Sequence, residues 1–189
     1  MKRLWLYIMG ALICSFSVIA SNVSVNRVLQ SGDEDVFFVI EGMTTSMSDW
    51  SNKSKIIYSV KKQGTGYRII SGVAASSSDW DDATKIAYSM KEYGDCYRVM
   101  EGIPSSSSDW DSADKIVYSI KKWANRTKTW DTGYRMIKGI ARFPADWERD
   151  KNIVFTIKET GDGMRVMRGV PLSLADWDAA DKILYTIGR

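Results

Sequence analysis

The chain has 189 residues, a net charge of +3 and no histidine. The missing imidazole excludes the commonest general base, the Ser-His and Cys-His nucleophile pairs, and most zinc sites. The near balance of charges leaves no basic stripe of the kind that binds nucleic acid, so no nucleic-acid partner is predicted.

The first 20 residues have the pattern of a secretory signal peptide. Lys2 and Arg3 form a short positive region, and residues 4–19 carry no charged side chain. The end of this run fits a small-residue cleavage rule, with cleavage after Ala20. Because the run is close to the ~20 residues of a membrane span, an uncleaved anchor is the alternative.

Cleavage would leave about 169 residues, enough for one domain with a hydrophobic core. Loss of Lys2 and Arg3 leaves 24 basic against 23 acidic residues, so the net charge falls to about +1. Cys96 is then the only cysteine, which excludes an intrachain disulfide. The chain therefore divides into a signal peptide (1–20), an N-terminal extension (21–35) and one five-repeat domain (36–189).

The repeat domain contains five Asp-Trp pairs, whose tryptophans are 30, 30, 37 and 30 residues apart. A glycine stands eight residues before each tryptophan, an isoleucine six residues after it, and Tyr or Phe two residues further on. Four units also carry an arginine four residues before the glycine, where the first unit has Phe38. Repetition at a fixed spacing indicates that every unit forms the same local structure.

Each unit contains two segments with the composition of a β-strand. Segments such as IIYSV and IVYSI alternate Ile, Tyr and Val or Ile, a period-two pattern of β-branched and aromatic residues. Segments such as YRII and YRVM also predict strands, and the sequences QGTG, YGDC and TGDG between the two are typical of hairpin turns. Each Ile-x-Tyr strand is therefore predicted to fold back onto the next Tyr-Arg strand.

A helix that begins at the Ser-Asp-Trp sequence is the alternative. Ser78 and Asp79 resemble a helix start, and Trp80, Ala83 and Ala87 would lie on one helical face. That reading would give a β-α repeat stack. The seven extra residues of the third unit favour hairpins, because a hairpin tip tolerates an insertion that would change the phase of a helix.

Both ends of the domain contain half a hairpin. The first unit begins at the strand VFFVIEG, and the last unit stops after the strand ILYTIGR. Pairing of these two strands would close the sheet and remove both of its edges. The predicted fold class is all-β with short helical turns: five ~30-residue repeats in a closed ten-stranded antiparallel barrel or ring, with the N- and C-terminal strands paired.

The Asp-Trp loops of the first three units are candidate carbohydrate sites. A sugar face could stack on the tryptophan, and its hydroxyl groups could bond to Asp and Ser; several weak sites would gain by avidity. Packing of the tryptophans against the barrel is the alternative interpretation. The candidate ligand-binding residues in these loops are Asp49, Trp50, Asp79, Trp80, Asp109 and Trp110.

The insertion in the third unit supplies two more candidates. Trp123 and Trp130 flank the sequence ANRTKT at the predicted hairpin tip, where they could contact a protein, a glycan or a membrane surface. The alternative is that they cover a neighbouring hairpin. The paired carboxylates around the tryptophans of units two to five are too few for calcium, so no metal site and no cofactor is predicted.

These features predict a secreted or periplasmic, non-enzymatic binding protein, lectin-like or an adhesin, whose partner is a glycan or a surface protein. No catalytic residue is predicted, because the acidic residues recur in every unit and an active site would break the repetition. An exported inhibitor or surface protein-interaction factor using the Trp123 and Trp130 tip is one alternative. A small outer-membrane barrel is another, although membrane-spanning strands need ~9–11 residues. Membrane contact is therefore not favoured.

Overall fold

The computed structural model of the protein describes residues 36–125, 127–128, 130–161 and 163–189. The signal peptide, its cleavage after Ala20 and the N-terminal extension lie outside the described residues. The described chain is all-β, and its ten strands form one closed antiparallel barrel. The predicted fold class is therefore confirmed.

The strands are six to nine residues long and are connected alternately by hairpin turns, of which the turn in the third unit is the longest, and by longer outer loops. In chain order they are β1 (Val36–Glu41), β2 (Ile56–Gln63), β3 (Gly66–Ser71), β4 (Ile86–Tyr93), β5 (Cys96–Glu101), β6 (Ile116–Ala124), β7 (Thr132–Lys138), β8 (Ile153–Thr160), β9 (Gly163–Arg168) and β10 (Ile183–Gly188). The outer loops are L1 (42–55), L2 (72–85), L3 (102–115), L4 (139–152) and L5 (169–182).

The Ile-x-Tyr and Tyr-Arg segments pair as hairpins, as the sequence predicts. In the first hairpin, β2 pairs with β3 from Tyr58 opposite Ser71 to Gln63 opposite Gly66. The β-α alternative is wrong, because the Asp-Trp segment of L2 makes only a 3-10 turn (Ser77–Trp80) before β4 begins. Ser and Asp side chains satisfy backbone groups inside such a turn, and the β-branched segment that follows prefers a strand.

The barrel closes between the two ends of the domain. β1 pairs with β10 in antiparallel register, from Phe38 opposite Gly188 to Glu41 opposite Tyr185. The ring of Trp50 lies directly over Gly188, since a Cβ added there would be 2.7 Å from the ring. We call this β1–β10 pairing the seam. Gly188 stands where the other units have lysine, and the absent side chain leaves room for the tryptophan of L1.

The interior of the barrel is filled by side chains from all ten strands. These residues are at most 6 % exposed, and they include Tyr88, Met90 and Ile120. They alternate along each strand with residues on the outer wall, as period two requires. Burial of this apolar surface is the main term that stabilises the barrel.

A β-bulge moves the first isoleucine of each Ile-x-Tyr strand to the outer wall. Between β3 and β4 the register shifts after Ile69, so that Ile69 faces Tyr88 but Ile70 faces Ile86. Tyr88 then packs in the interior, whereas Ile86 packs outside against Trp80. The equivalent outer clusters are Ile40/Trp50/Ile56, Ile70/Trp80/Ile86, Met100/Trp110/Ile116, Ile137/Trp147/Ile153 and Met167/Trp177/Ile183.

The five outer clusters are linked to one another around the barrel. The residue after the glycine of each loop packs on the tryptophan cluster of the preceding unit, as Val73 of L2 does on the cluster of Trp50. Met43 of L1 packs in the same way on the cluster of Trp177, across the seam. The outer layer is therefore closed as well as the sheet.

Deletion of residues 183–189 tests the closure. The truncated chain lacks β10, so β1 and β9 both present unpaired edges and the interior is opened to water. We expect aggregation or loss of the cooperative thermal transition, measured by size-exclusion chromatography and circular dichroism.

A circular permutant is the matched control for this deletion. It joins Arg189 to Val36 through a short linker and places the new termini between Gly64 and Thr65, in the first hairpin turn. All ten strands are kept, so we expect a monomer with a cooperative transition. A soluble truncation that melts cooperatively would contradict the role of the seam.

Candidate functional site

The aspartate before each tryptophan organises the start of its loop. In L2, Asp79 Oδ2 accepts the backbone N–H groups of Ala75 (2.7 Å) and Ser76 (3.3 Å). Its Oδ1 accepts the Ser76 hydroxyl (2.9 Å) and the Lys85 ammonium (2.7 Å). The Lys85 bond and the Ala75 N–H bond hold the pKa of Asp79 well below its ordinary value. The carboxylate therefore acts as a buried cap on the turn.

Four of the five loops repeat this arrangement with a lysine six residues after the aspartate. The pKa of each carboxyl is lowered, first of all by the lysine hydrogen bond. L4 lacks the lysine because Asn152 stands there, and the pKa of Asp146 is lowered chiefly by the N–H groups of Phe143 and Arg142. The four ion pairs are Asp49–Lys55, Asp79–Lys85, Asp109–Lys115 and Asp176–Lys182.

The six candidates in L1, L2 and L3 lie between the loops and the barrel wall. The three tryptophans are 4–6 % exposed, and the three aspartates are 5–6 % exposed. Aliphatic side chains cover the rings, and the loop itself surrounds the carboxylates. A sugar could reach Asp49, Trp50, Asp79, Trp80, Asp109 or Trp110 only if the loop left the wall. The packing interpretation of these tryptophans agrees with their burial.

The repeated arginines donate hydrogen bonds to the backbone at the end of the same turns. Arg68 Nη1 donates to the backbone carbonyl of Trp80 and to Asp81 Oδ1, which lies 2.8 Å away. The partner is thus the aspartate after the tryptophan, and not Asp79 before it. Arg98 and Arg165 make the same pair of contacts in L3 and L5.

The insertion of the third unit changes this arginine contact. Arg135 Nη1 donates to the Trp147 carbonyl at 2.7 Å, but its Nη2 pairs with Asp131 of the insertion at 2.6 Å. Asp131 and Arg135 are 1 % and 2 % exposed, whereas Asp81 is 73 % exposed in its side chain. The insertion therefore converts a surface ion pair into a buried one.

Trp123 and Trp130 both lie partly buried against the outer loops. The Trp123 ring packs beside the Trp147 cluster and stacks 4.1 Å from the Arg135 guanidinium. The backbone carbonyl of Trp130 accepts the indole N–H of Trp177 in L5, at 3.0 Å. The hairpin tip thus lies against L4 and L5, as the covering alternative predicts, and both residues remain partly exposed.

Sequence reasoning missed a buried hydroxyl in every unit. The residue after the Tyr or Phe of each Ile-x-Tyr strand is Ser or Thr, and in β2 the Ser59 hydroxyl donates to the Gly72 carbonyl at 2.7 Å. Each glycine accepts one such bond at the start of its loop, where its φ of 65–75° is left-handed. The signal in the sequence was the Ser or Thr that directly follows the Tyr or Phe in every unit. The hydroxyls belong to Ser59, Ser89, Ser119, Thr156 and Thr186.

Exposed apolar side chains occur on three of the loops. Met47 of L1 is 67 % exposed, Phe143 of L4 is 67 % exposed, and Leu172 and Leu174 of L5 are 83 % and 59 % exposed. L2 and L3 carry Ala or Ser at the same positions. Because β1 pairs with β10, L5 lies between L4 and L1, and the four side chains occupy three consecutive loops. We call them the apolar arc.

Comparison of the chain with family models, curated proteins and solved structures finds no match. Among the described residues, no helix is long and apolar enough to cross a membrane. The same part of the chain contains no group of three Cys, Asp or Glu side chains placed to hold a metal ion.

Replacement of Arg135 by Met should destabilise the fold strongly. The substitution leaves the Asp131 carboxylate buried without its cation, which costs about 3–5 kcal/mol. The matched change, Arg68→Met, breaks a pair whose aspartate is exposed, so we expect about 1 kcal/mol. Urea denaturation measures both free energies of unfolding, and equal losses would contradict the distinction.

The lowered carboxyl pKa values predict acid sensitivity. In the unfolded chain these groups titrate near 3.8, and in the folded protein they titrate lower. Their contribution to stability is thus present above about pH 5 and is lost as the pH falls toward the folded pKa. We expect Asp109→Asn to be less stable than the wild type at pH 7, with a difference that shrinks toward pH 3. A difference independent of pH would contradict this assignment.

Proposed function

We propose that the protein is an exported, non-enzymatic binding protein that contacts a partner protein through the apolar arc. The observation that carries the proposal is the exposure of Met47, Phe143, Leu172 and Leu174, which are each at least 59 % exposed. Large apolar side chains grouped on one part of a surface are typical of protein contact sites.

The fold does not need these four side chains. L2 and L3 form the same 3-10 turn and carry Ser77 and Ser107 where L1 and L5 carry Met47 and Leu174. The serine loops show that a polar residue satisfies the local structure at this position. An exposed Leu or Met there contributes little to folding, which supports a role in contact.

The insertion of the third unit extends the same side of the molecule. The Trp130 carbonyl bonds to L5, so the hairpin tip lies beside the loop that holds Leu172 and Leu174. The exposed parts of Trp123 and Trp130 would then lie at the margin of the contact. This arrangement supports the protein-interaction alternative more than a role of the repeated Asp-Trp pairs in glycan binding.

Export and the outer-membrane alternative both stay predictions with direct tests. N-terminal sequencing of the product released by an expressing cell should begin at Ser21; a retained Met1 would favour an anchor. Purification without detergent tests the outer-membrane barrel, which would need detergent to stay dispersed.

A four-serine variant tests the apolar arc. Met47→Ser, Phe143→Ser, Leu172→Ser and Leu174→Ser together should leave the thermal transition nearly unchanged, because the replaced side chains are exposed. Immobilised wild-type protein captures candidate partners from exported and surface proteins, and one identified partner is then purified. We expect the variant to bind it at least about tenfold more weakly by calorimetry.

The matched control changes Ser77 and Ser107 to Ala on the opposite loops. This variant should bind the purified partner as the wild type does. Equal affinity of the four-serine variant and the wild type would exclude the apolar arc as the contact surface.

A further inference from the structure

Three exposed arginines lie on the two loops that carry most of the apolar arc. Arg142 directly precedes Phe143 in L4, Arg149 follows the tryptophan of the same loop, and Arg168 ends β9 where L5 begins. L4 and L5 are neighbours, because β7, β8 and β9 are consecutive strands of the barrel. None of the three arginines makes an ion pair within the described part of the chain, so their guanidinium groups can bind a partner.

The nearest buried carboxylate leaves these guanidinium groups unused. Asp146 Oδ2 accepts the backbone N–H groups of Arg142 and Phe143, both at 2.9 Å. These two bonds lower the pKa of Asp146 most, and the charges of Arg149 and Arg142 add a smaller effect through space. The arginines therefore contribute to the potential at L4 without donating a side-chain hydrogen bond to its aspartate.

The unpaired charges of the loops separate into two sides of the molecule. On L4, on L5 and at the strand ends before them, four bases and two acids make no ion pair within the described residues: Arg142, Arg149, Lys151 and Arg168 against Glu148 and Asp181. On L2, on L3 and at their strand ends, the charged side chains without an ion pair in the same part of the chain are all acidic: Asp82, Glu101 and Asp114. Phe143, Leu172 and Leu174 therefore lie on the side with the excess of positive charge.

The fold does not need the three arginines. Serine stands at their equivalent positions in units that form the same loop: Ser105 for Arg142, Ser112 for Arg149 and Ser71 for Arg168. L3 makes its 3-10 turn with serine at two of these positions, and β3 ends at the third. Three arginines beside exposed apolar side chains are thus a feature of units four and five alone, which supports a role in contact.

We infer that the partner protein of the apolar arc carries aspartate and glutamate side chains around an apolar centre. This inference rests on the proposed function and adds the charge of the partner to it. The partner's carboxylates bind the three arginines, and its apolar side chains cover the arc. Because a guanidinium group donates two parallel N–H bonds to one carboxylate, arginine suits this contact better than lysine does.

An anionic membrane surface fits the charges less well than an acidic protein. Electrostatic attachment to lipid headgroups typically uses clusters of about four to eight basic side chains. Here Glu148 and Asp181 lie on the same loops as the arginines, and the chain would carry only about +1 after cleavage. A protein surface can place its carboxylates opposite individual arginines and away from these two acids.

Selection from a phage-displayed library of random linear peptides tests the inference, with the full exported chain immobilised. We expect the enriched peptides to combine Asp or Glu with large apolar residues. One enriched peptide is then synthesised with a fluorescent label, and its affinity is measured by anisotropy. Enrichment of basic or uncharged peptides, or no enrichment, would overturn the inference.

A three-serine variant removes the positive charge with residues that other units already carry. Arg142→Ser, Arg149→Ser and Arg168→Ser together should weaken peptide binding at least about tenfold and leave the thermal transition nearly unchanged. Raising the NaCl concentration to about 0.5 M should weaken binding by the wild type more than binding by the variant, because salt screens exposed charges.

The matched control removes two unpaired acids from the opposite side. Glu101→Ser and Asp114→Ser also introduce residues found in other units, namely Ser71 and Ser54. This variant should bind the peptide within about twofold of the wild type. Equal losses in the control and the three-serine variant would contradict a specific role of the arginines.

Two further results separate this inference from the proposed function. If the four-serine variant loses peptide binding and the three-serine variant keeps it, the apolar arc stands and the acidic partner is excluded. If only the three-serine variant loses binding, the arc is excluded as the contact surface. Sedimentation with vesicles of phosphatidylcholine and phosphatidylglycerol is the last test: binding that requires the three arginines would replace the partner protein with a lipid surface.

Discussion

Each tryptophan of the outer loops packs between two aliphatic side chains of the barrel wall, and this contact decides how the loop can run. The loop must fold back along the outside of the sheet, so its ends need fixed turns. The preceding aspartate caps the turn from one side, and in units two to five an arginine of the wall holds the tryptophan carbonyl from the other. The glycine and the buried hydroxyl set the angle at which the loop leaves the strand.

This outer layer has a consequence for stability. A sheet closed on itself has no free edge, and the link from Met43 to the Trp177 cluster closes the loops around it as well. Disruption at the seam therefore affects two layers together. The first unit is adapted to that position: Phe38 replaces the repeated arginine, and Gly188 makes room for Trp50.

Residues shared by all five units and residues that differ between the units have different roles in this chain. The tryptophan and the hydroxyl residue that recur in every unit are buried, and the contacts described above account for them. Several residues that differ between the units are exposed, among them the four side chains of the apolar arc. Function in a repeated fold can be sought at positions where the units differ, because packing requirements are the same in all of them.

The sequence by itself determined the strands, the hairpins and the pairing of the two ends, because period two, turn residues and half-hairpins at both termini are local signals. It did not determine which face the first isoleucine of each strand occupies: strict alternation puts Ile86 and Tyr88 on one face, and only the bulge separates them. Nor did it decide whether Trp80 is covered or open, since that depends on Ile70 and Ile86 from two strands. The bonds from the buried hydroxyls to the glycine carbonyls and from the repeated arginines to the tryptophan carbonyls likewise join residues at least 12 positions apart in the chain. Those contacts exist only once the strands have paired and the loops have folded back, so the tertiary structure alone decided them.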